Sequence, residues 1–322
     1  MLLIVGAIVL GLVLLVWSSD RFVGGAAAMA RIAGVSPLVI GLTIVALGTS
    51  APEIIVSASA ALSGSPALAI GNAQGSNIAN IGLVLGVCAL LIALPVNRSV
   101  WRRESHILLA VTLLLGVVLA NLYLSRWEGL VMIGLLVVFI VGTVWHAMHI
   151  KNTAELPDFS DDIPDDMPLR TSLFWLTMGL VLLVVGAQLL VWGATQLAFR
   201  FGISELVVGA TIVAIGTSLP ELATAIASTR KGHHEMTIGN VVGSNIFNIL
   251  AVVGVAAAIA PTALEPAVLW RDYLFVLLTT VMLLVVAWWF GRQQKPTPRL
   301  FGVVLLVSYI YYLYLNYQAL TL

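Results

Sequence analysis

Two glutamates, Glu53 and Glu221, stand inside long apolar stretches of a 322-residue chain. An ionised carboxylate at membrane depth costs roughly 2.5–3.5 kcal/mol or more unless it is protonated, paired or facing water. No Lys or Arg lies at comparable depth in the sequence to pair with either one. A bound cation is the remaining partner with enough charge. The neighbours supply further oxygen. Thr49 and Glu53, Ser76 and Asn80, Thr217 and Glu221, and Ser244 and Asn248 are each four residues apart, which is one face of a helix. Ser50, Asn77, Ser218 and Asn245 add hydroxyl and amide oxygens. Carboxylates, hydroxyls and amides without His or Cys suit a hard cation, and Ca2+ takes about 6–8 such oxygens. Pro52 and Pro220 lack an N–H, so the carbonyls of Gly48 and Gly216 lose a helical donor. Local unwinding there also loosens the carbonyls of Ala46 and Ala214, and such carbonyls are tolerated in a membrane where they line a cavity.

A lone proline or glycine in a membrane helix often means a packing kink, and a lone Ser or Thr usually bonds back to its own helix. What separates this set from those readings is duplication. The segment from Gly41 to Glu53 recurs from Gly209 to Glu221 with ten of thirteen positions identical, and Ile70–Ile81 recurs as Ile238–Ile249 with nine of twelve. Both blocks, 41–81 and 209–249, are offset by 168 residues. The same offset carries Gly25, Gly34 and Ser36 onto Gly193, Gly202 and Ser204.

The elements that must position these residues are membrane helices. The chain is 60% hydrophobic and 9% charged, too little charge to cover a soluble protein of this length. Apolar runs of about 20 residues, the length that crosses a bilayer, recur throughout. They are too long and too uniformly apolar for alternating barrel strands. Ten spans are expected, near 2–19, 36–62, 68–95, 105–124, 127–149, 171–198, 204–229, 236–260, 270–290 and 300–318. The start Met1-Leu2-Leu3-Ile4 has no preceding basic residue, so it reads as the first span and not as a signal peptide.

Lys and Arg sort by side. The odd-numbered connections hold Arg21, Arg31, Arg98, Arg102, Arg103, Lys151, Arg170, Arg230, Lys231, Arg292, Lys295 and Arg299. The even ones hold Arg126, Arg200 and Arg271. The odd side is therefore cytoplasmic and both termini face outward, in a multi-pass protein of the cell (inner) membrane. Trp17, Trp101, Trp127 and Trp270 read as an interfacial belt. Five spans separate the repeated blocks. Five is odd, so the halves cross the membrane in opposite senses, an inverted-topology repeat with its site at the midplane between them. The division is 1–150 and 171–322, two five-helix repeats joined by a cytoplasmic acidic linker, 151–170. Asp158, Asp161, Asp162, Asp165 and Asp166 in that linker lack the glycine and spacing of an EF-hand loop and read as solvated. His233 and His234 also read as solvated. Cys88 is the only cysteine, so intrachain disulfides are excluded. Zero formal net charge points to no nucleic acid, and no protein partner is evident; the bilayer is the expected surrounding.

The two Gly-Thr-Ser-x-Pro-Glu blocks, each followed by Gly-Ser-Asn-Ile-x-Asn, resemble the alpha-repeats of the Ca2+:cation antiporters, and more narrowly the bacterial sodium/calcium exchanger-like members. The resemblance implies a secondary antiporter, not an enzyme, that moves Ca2+ against Na+ by alternating access and needs no cofactor. It implies ion ligands at Glu53, Thr49, Ser50, Ser76 and Asn80, at Glu221, Thr217, Ser218, Ser244 and Asn248, and at the carbonyls of Ala46 and Ala214. It also implies that the first and sixth spans slide against the site-bearing core. Some members carry Asp where this chain has Asn248, and potassium-dependent relatives carry Asp there or at the Asn80 position. Two carboxylates alone argue against K+ dependence. Three other readings compete: Ca2+/H+ exchange on the same scaffold, a cation channel, and an intramembrane protease. The last needs a Ser–His or paired-Asp constellation at depth, and the sequence shows no His or Asp well inside a span.

Overall fold

A computed structural model describes residues 1–95, 98–150, 167–202 and 214–321. Most of the acidic linker and the start of the second repeated block, 209–213, lie outside the described residues, as does Ser204. The chain is almost entirely helical. In order it runs α1 (Leu2–Ala33), α2 (Pro37–Thr49), α3 (Ala51–Leu62), α4 (Pro66–Leu91), α5 (Arg98–Leu119), α6 (Arg126–Ile150) and α7 (Leu169–Arg200). The second half continues with α8 (Ala214–Thr217), α9 (Leu219–Arg230), α10 (His234–Ile259), α11 (Val268–Gln293) and α12 (Arg299–Thr321). The all-α expectation needs one small correction. Two-residue strands, β1 (Tyr123–Leu124) and β2 (Thr262–Ala263), pair antiparallel and tie the end of α5 to the segment after α10.

Among the described residues seven helices are long and apolar enough to cross a membrane, and α2 with α3, bent by 43°, makes an eighth. The remaining two expected spans are less plain for physical reasons. Helix α5 has 22 residues but carries Arg102, Arg103 and Glu104 in its first turns. The expected seventh span begins in the undescribed stretch before α8.

Helices α4 and α10 form the centre, 72% and 83% buried over their apolar windows, whereas α1, α6 and α7 expose most of theirs. The main core joins Ile70, Ala73 and Ile81 of α4 to Val241, Val242 and Ile246 of α10. Helix α2 lies backbone to backbone on α10. A Cβ on Gly239 would stand 2.6 Å from the Leu38 carbonyl, and one on Gly41 would stand 2.7 Å from the Met236 carbonyl. Small residues at a membrane-helix contact permit this approach.

Helix α1 overturns an expectation. The first span was placed at 2–19 with Arg21 in a loop; the helix runs unbroken for 32 residues to Ala33. Asp20 and Arg21 therefore sit mid-helix. They end the apolar run without ending the helix, because Gly24–Ala30 continues it as a small-residue face packed on α7, with Ala26, Ala27 and Ala30 fully buried. Gly11 meets Gly186 and Leu190, while Gly25 meets Ser172 and Leu176, so α1 and α7 run antiparallel along their length. Trp17 is likewise mid-helix. It packs edge-on against Trp175 at 5.8 Å, and the Arg21 guanidinium lies 4.9 Å from the Trp175 ring centre and 5.7 Å from that of Trp17. Trp127 and Trp270 are 78% and 68% exposed at the starts of α6 and α11, as a belt requires; the Trp101 side chain lies outside the described residues.

Candidate ion-binding site

The repeated blocks break their helices at equivalent places. Ser50, between α2 and α3, has φ −83° and ψ 1°, and Ser218, between α8 and α9, has φ −87° and ψ 4°. Pro52 and Pro220 stand at the start of the helix that resumes after each break, where a missing N–H costs nothing. The ladder picks up at once. Ile54 donates to the Ser50 carbonyl at 3.1 Å, and Leu222 donates to that of Ser218 at 3.0 Å. Glu53 and Glu221 thus each occupy the first turn of a restarted helix, where the positive end of the helix dipole favours a carboxylate.

The breaks differ in one respect. The Ala46 carbonyl keeps a helical donor, the Ser50 amide at 2.9 Å, and also lies 3.5 Å from the Thr49 hydroxyl. In the second half the Ser218 amide donates to the Ile215 carbonyl at 3.1 Å, a tighter turn. The Ala46 carbonyl therefore offers a cation only what its two helical contacts leave.

Helices α4 and α10 present the other half of the polar set. Each changes to a π-helical turn at its asparagine, Asn80–Leu85 and Asn248–Val253, again 168 residues apart. Such turns insert one extra residue and recur at functional sites. Ser76 and Asn80 are 3% and 1% exposed, and Ser244 and Asn248 are 0% and 1%.

The two halves meet at these residues. The Ser50 hydroxyl donates to Glu221 Oε1 at 3.2 Å, across 171 residues of sequence. The Thr49 hydroxyl donates to Asn240 Oδ1 at 3.2 Å, across 191. Glu53 and Glu221 are each 1% exposed. Around them Glu53 Oε2, Glu221 Oε2, both polar atoms of Asn80 and of Asn248, Ser218 Oγ and Ser244 Oγ have no hydrogen-bond partner among the described residues. Thr217 is buried beside this group. Folded proteins rarely leave buried polar atoms unpaired, so such a concentration marks a place built to bond something other than the protein.

Sequence reasoning missed several members. Asn240, which orients Thr49, lies in the repeated Ile-Gly-Asn triplet and was identifiable from its equivalent Asn72, which bonds Ser57 at 3.0 Å. Gln74 is also fully buried with both polar atoms unpaired among the described residues, as are Asn77 and Asn245, which the sequence had already singled out. Gln74 has Val242 as its equivalent, so the repeat gave no signal for it. His233, expected in solvent, is 7% exposed: it packs at the start of α10, its amide taken by Ser228 at 2.9 Å.

This architecture and this polar centre belong to a known class. Residues 3–145 and 171–318 match the sodium/calcium exchanger protein family, and the chain belongs to it. It is a multi-pass membrane protein of an exchanger family. Among its relatives, CaxA of Alkalimonas amylolytica is 44% identical over 313 residues, covering 97% of this chain and 98% of that one. The inner membrane protein YrbG of Escherichia coli K12 is 40% identical over 321 residues, covering 98% of each. The sodium/calcium exchanger MaX1 of Methanosarcina acetivorans is 30% identical over 343, covering 95% and 96%. A solved structure of the sodium-calcium exchanger NCX_Mj, soaked with Na+ and Sr2+, superposes with a TM-score of 0.82 at 34% identity, covering 96% and 97%.

Proposed function

We propose that this protein exchanges Ca2+ for Na+ at a site shared by Glu53 and Glu221. The observation that carries the reading is the Ser50–Glu221 hydrogen bond of 3.2 Å, which joins the two repeated blocks at a pair of buried carboxylates. Two carboxylates neutralise one Ca2+, and the same oxygens hold Na+ in its place. Thr49, Ser50, Ser76 and Asn80, with Thr217, Ser218, Ser244 and Asn248, complete the shell, together with the carbonyls of Ala46 and Ala214. Ca2+ and Na+ are cargo, and no resident cofactor is invoked. An empty site carries two uncompensated negative charges at depth and resists crossing, whereas a loaded one does not. That difference couples the two fluxes.

The scaffold for this cycle is ten helices in two inverted five-helix repeats, 1–150 and 171–322, with the 151–170 linker in the cytoplasm and both termini outside. The antiparallel packing of α1 on α7 and the breaks at Ser50 and Ser218 support it. The two π-helical turns at one offset support it further.

The test is 45Ca2+ uptake into proteoliposomes under imposed Na+, K+ or H+ gradients. Uptake driven by an outward Na+ gradient alone is expected. Uptake that follows a pH gradient and persists without Na+ would make the glutamates proton carriers and the protein a Ca2+/H+ exchanger.

A further inference from the structure

A third acidic side chain stands at depth, on an element outside the ion cluster. The α1–α7 contacts pair residues whose numbers sum to about 200, and equivalent positions differ by 168, so the point of symmetry falls near Val16 and Val184. In an inverted repeat that point lies at the bilayer midplane. Asp20 is four residues further on, about 6 Å along the axis, on the cytoplasmic side of the middle. A carboxylate there must face a partner or a hydrated space. It faces a half-open cavity of about 220 Å³ between α1 and α9. Leu15 and Ser19 of α1 line the cavity, with Leu222, Ile226 and Arg230 of α9.

Asp20 and Arg230 are the two charged residues of that lining. Neither makes an ion pair or hydrogen bond with another described side chain. Arg21, the cation next to Asp20 in sequence, is engaged instead on the Trp17 and Trp175 rings. Both charges are also peculiar to one half of the protein. The repeat equivalent of Asp20 is Gln188, and that of Arg230 is Leu62. A packing role shared by the halves would not drop both charges together, whereas a pair serving one membrane face would.

We propose that Asp20 and Arg230 are the two sides of a cytoplasmic gate. In the state seen here both line the cavity without pairing; as α1 closes on α9 they form an ion pair that shuts the space from the cytoplasm. The pair compensates the Asp20 charge when water leaves the cavity, so closure does not strand a carboxylate in the membrane. The outer face has no counterpart and closes on neutral side chains. The proposal rests on the exchanger reading and on its orientation.

The experiment is a charge-exchange cycle read by Na+-driven 45Ca2+ uptake and, separately, by Ca2+ binding to purified protein. Asp20→Arg and Arg230→Asp are each expected to slow uptake at least about tenfold and leave Ca2+ affinity unchanged. The double reversal should recover most of that loss, a coupling within the range for contacting charges. In a Cys88→Ala background, Asp20→Cys with Arg230→Cys should cross-link under oxidant, with uptake stopped and then restored by reductant. A double reversal no better than the worse single variant would overturn the gate, as would single variants that transport normally. Loss of Ca2+ binding in Asp20→Arg would instead make Asp20 part of the ion site and equally overturn it. Absence of Na+-driven uptake in the unaltered protein would sink the exchanger reading, while the cross-linking arm would still report on the gate.

Discussion

Replacing Glu221 by glutamine removes one charge and almost nothing else. The amide fills the same volume, and its oxygen can still accept the Ser50 hydroxyl, now 3.2 Å from Glu221 Oε1. With Glu221 1% exposed, the lost term is electrostatic. At about 3 Å and an effective dielectric near 20, a divalent ion and a carboxylate attract by about 11 kcal/mol. Most of that offsets stripping water from the ion. The net cost of breaking a buried charge pair is about 3–5 kcal/mol, which weakens Ca2+ binding by roughly two to three and a half orders of magnitude. Calorimetric titration of Ca2+ into purified protein measures this directly, and thermal melting checks that the fold is kept. Glu53→Gln should behave alike, since Glu53 is equally buried. Binding within about threefold of the unaltered protein, in either variant, would refute the shared-carboxylate site.

Other outcomes follow from the same geometry. Thr49→Ala should cost about 1–3 kcal/mol of stability by stranding buried Asn240 Oδ1, and Thr49→Ser should restore it; thermal denaturation decides, and an unchanged Thr49→Ala would remove the bond from the account. Gly186→Val should lower the melting temperature and the exchange rate, because its Cβ would sit 2.9 Å from the Leu15 amide nitrogen. Gly6→Ala, whose Cβ meets no described atom within 4 Å, should not. Asn248→Asp should keep transport but change its dependence on Na+, K+ or pH, since it adds a carboxyl beside two others; superimposable uptake profiles would place Asn248 outside the site. Impermeant labelling of intact cells should reach a tag at residue 1 and not one in the 151–170 linker, and the opposite pattern would reverse the topology.

The polar centre was largely legible because it is written twice. Glu53, Thr49, Ser50, Ser76 and Asn80 each have a twin 168 residues on, and matched polar residues inside apolar sequence have little reason to recur otherwise. The helix break was legible too, through Pro52 and Pro220. The length of α1 was not. Composition rules assume that a charge ends a span, but Asp20 opens onto a cavity and Arg21 rests on two tryptophan rings. The Thr49–Asn240 bond was out of reach because its partners sit 191 residues apart and meet through the α2–α10 contact at Gly41 and Gly239. His233 was misjudged because a short basic connection reads as wet, while its backbone folds back onto α9.

The glycine seam between α1 and α7 has a mechanical consequence. Backbone lies on backbone at Gly11, Gly25, Gly179 and Gly186, with no room for a side chain to yield between them, so the two helices travel as one beam. They lie antiparallel along their length. A displacement that lifts the beam from the core at one membrane face must press it down at the other, in the manner of a rocker on a pivot near Val16 and Val184. In the exchange cycle proposed above, such rigidity would by itself oppose opening to both sides at once. A substitution that merely softened the seam would turn a strict exchanger into a leaky one without touching a single ion ligand.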